Sequence, residues 1–454
     1  MNIINPATEE IITSVQVDNA GRLQEKFKLL QKHQSGWNTV PLSERVIILQ
    51  LFADLLKQNI ESLAQTLTAE MGKPLSQSRN EIHGAANRVA WLAGHAVKYL
   101  SEEVMTLDDH LIEKIVYEPL GVVCNISAWN YPYNVGVNVF VPALLAGNAV
   151  MYKPSEYSIL TGLKIEQYLK EAGVPDEVFQ VAIGGGEVGN QLLDLPFDGY
   201  YFTGSYKTGK HIYERVASKM VPCQLELGGK DPVYVTDDIE DIKSAAANIA
   251  DGAFYNNGQS CCAVERIYVH ETVYDKFVNE FVEEVKSWKV GSPDMKGIYI
   301  SVLSRPDQVA FLEDQVNDAL AKGARVLTGG NKITAKGYAF EPTVVVDVNH
   351  TMHLMKEESF GPVIGIMKVR DDDEAIRLMQ DTEYGLTAAV YSKSLQRAQP
   401  IFDQMDTGTV YWNCCDRVSP SIPWSGRKHS GFGSTLSHHG LRAFTQPKAY
   451  HLRS

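Results

Sequence analysis

The run Phe254-Tyr-Asn-Asn-Gly-Gln-Ser-Cys261-Cys262 sets a thiol just after a short polar turn. That setting favours exposure over core packing, and an exposed thiolate is a nucleophile. An ordinary thiol, with a pKa of about 8.5, is only a few per cent ionised at neutral pH, so Cys261 needs a helix end, a cation or a base nearby. Glu226, in Gln224-Leu-Glu-Leu-Gly-Gly-Lys230, is a carboxylate flanked by two leucines. Partial desolvation there would raise its pKa into the range of a general base. Taken singly, each residue has a plainer reading: a small packed cysteine, and a strand-end glutamate facing water.

Two glycine-rich stretches could face phosphate. Gly184-Gly-Gly186-Glu-Val-Gly189 fits GxGxxG between a strand-like and a helix-like segment, where backbone could approach a pyrophosphate. A ligand-free turn explains that lone match equally well. Gly204-Ser-Tyr-Lys-Thr-Gly209-Lys210 approaches a P-loop, but His211 stands where the magnesium-binding hydroxyl belongs, which excludes the kinase and ATPase reading.

These residues need a scaffold, and 454 residues suffice for two or three domains. The net charge of −13 disfavours nucleic acid and anionic membrane surfaces as partners. Six cysteines, without CxxC spacing or a His/Cys cluster, exclude a zinc site; no metal is expected. No basic, apolar leader is legible in Met1–Glu10, so reduced thiols and a cytoplasmic location are expected. The apolar stretch Val135–Tyr152 is broken by Asn138, Pro142, Gly147 and Asn148, which predicts a buried helix and a turn, not a membrane span.

Helical periodicity dominates the first hundred residues, with Ser43 a candidate N-cap for a helix reaching Leu56. Strands and helices then alternate. Predicted strands are 111–126, 149–153, 178–183, 200–203, 232–235, 266–270, 324–327 and 363–369. Predicted helices are 159–171, 187–193, 242–254, 274–288 and 306–322. This rhythm predicts an α/β fold with two Rossmann-like parallel-sheet domains, joined near Leu227-Gly-Gly.

Several stretches then fall into one pattern. They are Asn5-Pro-Ala-Thr8, Ala128-Trp-Asn-Tyr-Pro132, Lys153-Pro-Ser-Glu156, Phe202-Thr-Gly-Ser205 and Leu225-Glu-Leu-Gly-Gly229. Gly258-Gln-Ser-Cys261, Glu357-Glu-Ser-Phe-Gly-Pro362, Pro423-Trp-Ser-Gly426 and Ser430-Gly-Phe-Gly433 complete it. In this order they resemble the aldehyde dehydrogenase superfamily over nearly the whole chain, with the succinate-semialdehyde branch one option. The resemblance implies an NAD-binding domain of residues 1–102 and 120–227 and a catalytic domain of 228–431. It implies a small β oligomerisation element of 103–119 and 432–454, hence a homodimer or homotetramer.

It also implies roles. Cys261, two residues after the glutamine, would be the nucleophile, Asn130 an oxyanion donor and Glu226 the base that activates water. Trp129, Lys153, Ser155, Glu156, Gly186, Gly204, Ser205, Leu227, Glu358 and Phe360 would hold NAD, with NADP possible. A carboxylate at 156 favours NAD, because it repels a 2′-phosphate. Tyr131, Tyr133, Tyr255 and Trp424 would line the aldehyde tunnel. Arg417 would either bind a substrate carboxylate or pair with Asp416.

Three positions depart from the family pattern. Ala128 replaces a proline, Val139 replaces a lysine or arginine, and Thr435 replaces a glutamate. The last two read together as the apolar replacement of a buried charge pair, leaving Glu226 without an auxiliary group. Two rival functions remain: a CoA-acylating dehydrogenase, in which a thiol replaces water, and a non-catalytic binding protein on the same fold.

Overall fold

The computed structural model describes residues 1–333 and 336–454. Two open sheets dominate. The first runs Gly431–Phe432, Cys223–Glu226, Gly199–Thr203, Val122–Ile126, Ala149–Lys153 and Phe179–Val181, in that spatial order. Its strands are parallel except for the antiparallel edge Gly431–Phe432. The central strands are buried along their whole length, which is why they read as continuous apolar runs rather than alternating ones. Helices Leu42–Gln58, Ile60–Met71 and Leu75–Leu100 pack with this sheet in one large apolar core.

The second sheet runs Arg325–Thr328, Thr343–Val346, Val363–Val369, Val264–His270, Asp231–Val235, Thr387–Tyr391 and Thr409–Trp412. Only its first pair is antiparallel. Chain passes from the first sheet to the second between Glu226 and Asp231, through Leu227-Gly-Gly. A separate three-stranded sheet joins Glu103–Leu107, Leu111–Pro119 and Thr445–Arg453, and it exposes Val104, Met105, Leu107 and Leu452.

In the first sheet the chain moves from Val122–Ile126 outward to Phe179–Val181, then returns to add Gly199–Thr203 on the other side. Strand order therefore reverses between Val122–Ile126 and Gly199–Thr203. In open α/β sheets such a switch point opens a crevice at the carboxyl ends of the strands.

Two local expectations change. Helix Leu42–Gln58 starts a residue before Ser43, and Pro41 occupies its N-cap without a side-chain bond, so Ser43 is no cap. The apolar stretch from Val135 divides into the end of helix Pro132–Ala146 and strand Ala149–Lys153, with Gly147 at φ 97° between them. Among the described residues no helix is long and apolar enough to cross a membrane.

Candidate active site

Cys261 is positioned by a clamped loop. Helix Ile242–Phe254 ends beside Asn256, Asn257 and Gly258, which all adopt left-handed backbone (φ 56°, 56° and 72°). Asparagine and glycine tolerate that region best, so the Asn-Asn-Gly run is what allows the reversal. A Cβ at Gly258 would lie 2.3 Å from the Gly361 carbonyl. The Asn256 amide donates to the carbonyls of Asn130 (3.1 Å) and Gln259 (3.0 Å), and Asn257 donates to that of Val302 (3.0 Å). Both asparagines are fully buried, so the loop is a rigid mount.

The two adjacent thiols differ. Cys261 is partly exposed, while Cys262 is buried and donates to Asp416 Oδ1 at 3.0 Å. Hydrogen bonding with Cys261 and burial push the Cys262 thiol well above its ordinary value, which makes it a poor nucleophile. Asp416 also accepts from Ser260 Oγ at 3.1 Å, and burial raises it to about 7.

Glu226 ends its strand in the interior. Burial lifts its carboxyl from 4.5 to about 7, against the opposing pull of the Thr435 hydroxyl, Arg88 and Gln224. Thr435, fully buried, donates its hydroxyl to Glu226 Oε1. The expectation of an unassisted Glu226 beside apolar replacements is therefore corrected. Val139 is buried and apolar, but Thr435 contributes a donor, and the cation acting on Glu226 is Arg88 from helix Leu75–Leu100.

The Asn130 side chain donates to the Gln259 carbonyl at 3.0 Å, which leaves its second amide N–H uncommitted by that bond. Its backbone is fixed by a buried ion pair. Lys73 bonds Glu81 and donates to the Asn130 carbonyl at 2.8 Å, while Glu81 accepts from the Tyr133 N–H at 2.9 Å. Both charged side chains are wholly buried, so each is the other's compensation.

Two cavities meet at this point. One, of about 550 Å³, occupies the switch-point crevice and is lined by all ten residues predicted to hold the dinucleotide: Trp129, Lys153, Ser155, Glu156, Gly186, Gly204, Ser205, Leu227, Glu358 and Phe360. The second, of about 400 Å³, is lined by Tyr131, Tyr255, Trp424 and Arg417, together with Arg88 and Asn138. Among the described residues only Thr203, Glu226 and Cys261 line both.

The crevice suits a dinucleotide. A Cβ at Gly186 would meet nothing within 4 Å, so the cleft is open there for a ligand. Ser205 caps helix Tyr206–Val216, whose N-terminal dipole favours an anion. Lys153 is a buried cation whose nearest partners are the Pro154 carbonyl at 3.2 Å and Glu156 at 3.9 Å, leaving donors for ribose hydroxyls. Glu358 is raised to about 8 by burial and the nearby Glu265; it accepts from the Gly229 N–H at 3.0 Å, and Gly228 has no side chain to block it.

Over the whole length, the Aldehyde dehydrogenase family model matches residues 1–450. This chain belongs to the aldehyde dehydrogenase family. It is thus an NAD(P)-dependent oxidoreductase acting on aldehydes. Aminoaldehyde dehydrogenase 1 of Pisum sativum is 34% identical, covering 98% of this chain and 91% of that protein. A probable NADP-dependent succinate-semialdehyde dehydrogenase of Sinorhizobium fredii is 33% identical, with coverage of 98% and 91%. The solved aldehyde dehydrogenase KauB of Pseudomonas aeruginosa superposes with a TM-score of 0.97 at 32% identity, covering 100% of this chain and 93% of that one.

Tyr133 requires correction. It is fully buried and lines neither cavity. Tyr131 precedes helix Pro132–Ala146 and Tyr133 lies in its first turn, and residues two apart on a helix point away from each other. Arg417 does reach the second cavity, but its side chain is 60% exposed and its ion-pair partner is Asp251 at 3.9 Å. Among the described residues its one hydrogen bond goes to the backbone carbonyl of Asp416, at 3.3 Å. Sequence reasoning missed Arg88, Thr203 and Asp416. Thr203 was within reach, because it stands inside the Phe202-Thr-Gly-Ser motif at a strand end.

Proposed function

We propose that the chain oxidises an aldehyde to a carboxylate through a thioester on Cys261, which water then hydrolyses. The observation that carries this reading is that Cys261 and Glu226 both stand where the two cavities join. A nucleophile there meets a substrate from one side and a redox cofactor from the other.

The Cys261 thiolate adds to the carbonyl carbon, and the oxygen takes the charge. The free N–H of Asn130 and the Cys261 backbone N–H stabilise that oxyanion, each donor contributing about 2.7–4 kcal/mol in comparable sites. Lys153, Ser155, Glu156, Ser205, Glu358 and their neighbours would hold a dinucleotide, which would supply the acceptor for the hydride leaving the carbonyl carbon, so that an acyl thioester is left on Cys261. Glu226 then takes a proton from water, whose oxygen attacks the acyl carbon and releases the Cys261 thiolate and the acid. A carboxyl held at about 7 is half ionised near neutral pH, which suits a base that must also give its proton up.

Glu156 beside Lys153 favours NAD over NADP. The exposed apolar side chains on the three-stranded sheet support a dimer, or a tetramer of dimers, formed through residues 103–119 and the C-terminal strand. The test is NADH and NADPH formation across aliphatic, aromatic and charged aldehydes, without CoA, for wild type and Cys261→Ala. Turnover to free acid that vanishes in the variant is expected. Turnover that requires CoA, or that survives in the variant, overturns the reading.

A further inference from the structure

The substrate-side cavity carries six ionisable side chains besides its cysteines and tyrosines: Glu81, Arg88, Glu226, Asp251, Asp416 and Arg417. Most are already accounted for. Glu81 is bonded to Lys73, and Asp251 accepts from the Tyr299 hydroxyl at 2.5 Å and faces Arg417 at 3.9 Å. Glu226 and Asp416 are held at about 7 by burial, each with donors of its own.

Arg88 is different. Helix Leu75–Leu100 presents it to the cavity wall, half-buried, between the buried Ala85, Ala86 and Val89 of the same helix turn. No carboxylate among the described residues lies within 4.0 Å of it. Its hydrogen bonds to the described residues come from Nη1, to Asn138 Oδ1 at 3.2 Å and the Asn134 carbonyl at 3.4 Å. Among the described residues Nε and Nη2 have no hydrogen-bond partner, although a guanidinium has five donors in a planar fork that matches a carboxylate. The two asparagine contacts orient the group without neutralising it. A fixed, partly desolvated cation in a cavity that ends at Cys261 selects for a negative charge at the far end of the substrate.

We infer that Arg88 is the specificity-determining residue of this enzyme and that it holds the distal carboxylate of an ω-oxo acid while the aldehyde end meets Cys261. This rests on the thioester reading of the site. The same charge repels an aminoaldehyde, so the choice between two relatives of nearly equal identity falls to this residue. Arg417, outermost and paired with Asp251, has a minor part.

The experiment compares kcat/KM for unbranched ω-oxo acids of three to six carbons with their neutral methyl esters and with ω-aminoaldehydes, in wild type, Arg88→Met, Arg88→Lys and Arg417→Ala. Wild type should prefer an acid over its ester by about 10–100-fold, the range for a charge-assisted hydrogen-bonded pair. Arg88→Met should lose that preference through a KM raised for the acids and not for the esters, while any change in kcat that follows from its pull on Glu226 should fall on acids and esters alike. Arg88→Lys should recover part of it, and Arg417→Ala should keep it. Calorimetric binding of the matching dicarboxylate to Cys261→Ala, with and without Arg88→Met, reads the same contact with no turnover. Failure of every aldehyde to react would defeat the thioester reading, whereas dicarboxylate binding would still judge Arg88. A wild type indifferent to substrate charge, or dicarboxylate binding unchanged by Arg88→Met, overturns the inference. So does an Arg88→Met variant whose kcat/KM falls equally for acids and esters, leaving their ratio as in wild type, which would make Arg88 a tuner of Glu226 alone.

Discussion

Replacing Glu226 with Gln should make the protein more stable and stop it working, and the gain should depend on pH in a definite way. Glutamine matches the volume of the buried carboxyl and keeps an oxygen to accept the Thr435 hydroxyl, so packing is preserved. What changes is the charge. In the native protein Glu226 holds its proton up to about pH 7, whereas in the unfolded chain it ionises near 4.5. Between those values the unfolded state binds fewer protons, so stability falls as pH rises. Below 4.5 this group imposes no penalty; above about 7 the penalty is complete. The separation corresponds to about 3 kcal/mol.

Wild type and Glu226→Gln should therefore unfold at similar midpoints at pH 4.5–5, while at pH 8 the variant should be firmer by about 3 kcal/mol. For a cooperative unit of roughly 200 residues that is about 6–12 °C in Tm. Taking the difference between the two proteins at each pH cancels the many groups that titrate in both. In the same preparation, one equivalent of NADH should form rapidly with aldehyde and turnover should then stop, because acylation of Cys261 does not need the carboxylate. An offset that is the same at both pH values, or a variant less stable at pH 8, would refute the claim that burial of the charged form is what sets this group's pKa.

Thr435→Val removes a donor to the ionised carboxylate, so the rising limb of thioester hydrolysis should move up by about one to two pH units in single-turnover assays. An unmoved limb would show that the hydroxyl serves only packing. Cys262→Ala should keep most of the turnover that Cys261→Ala abolishes, since the buried thiol is inert; a large loss in steady-state rate would reopen the assignment of the nucleophile. Lys73→Met should destabilise by about 3–5 kcal/mol by stranding Glu81 in the interior, and adding Glu81→Met should recover much of that in the melting temperature. No recovery would mean that the pair's contacts to Asn130 and Tyr133, rather than its charge balance, carry the stability.

Much of the site was legible because its residues come in short local runs. Gly258-Gln-Ser-Cys261 contains both the proposed nucleophile and the backbone that mounts it, and Asn256-Asn257-Gly258 announces left-handed turns by residue type. The crevice residues were legible for the same reason: Lys153-Pro-Ser-Glu156 and Thr203-Gly-Ser205 each end a strand. Arg88 was not, because a lone arginine in a helix reads as part of a solvated face until the helix is docked. Lys73 and Glu81 were missed likewise; nothing local tells that two charges eight residues apart will be sealed together. Tyr133 failed for the opposite reason, since nearness to Tyr131 in sequence concealed that the helix turns it inward.

The departures at Val139 and Thr435 now have a physical sense. A base for thioester hydrolysis needs a pKa near neutrality, and burial alone would carry Glu226 beyond it. Something must stabilise the ionised form, and a charged group pressed against it would overcorrect, turning a poised acid into a fixed anion. A neutral hydroxyl at bonding distance and a cation farther off, Thr435 and Arg88, supply two moderate pulls in place of one strong one. Drawing the cation from the cavity wall also leaves its donor fork open toward the substrate, which a lysine at 139 already bound to a glutamate at 435 would not do. On this account Val139 is apolar because the charge has moved, and a bound carboxylate on Arg88 would weaken its pull on Glu226, raising the base's pKa while the acyl group waits for water.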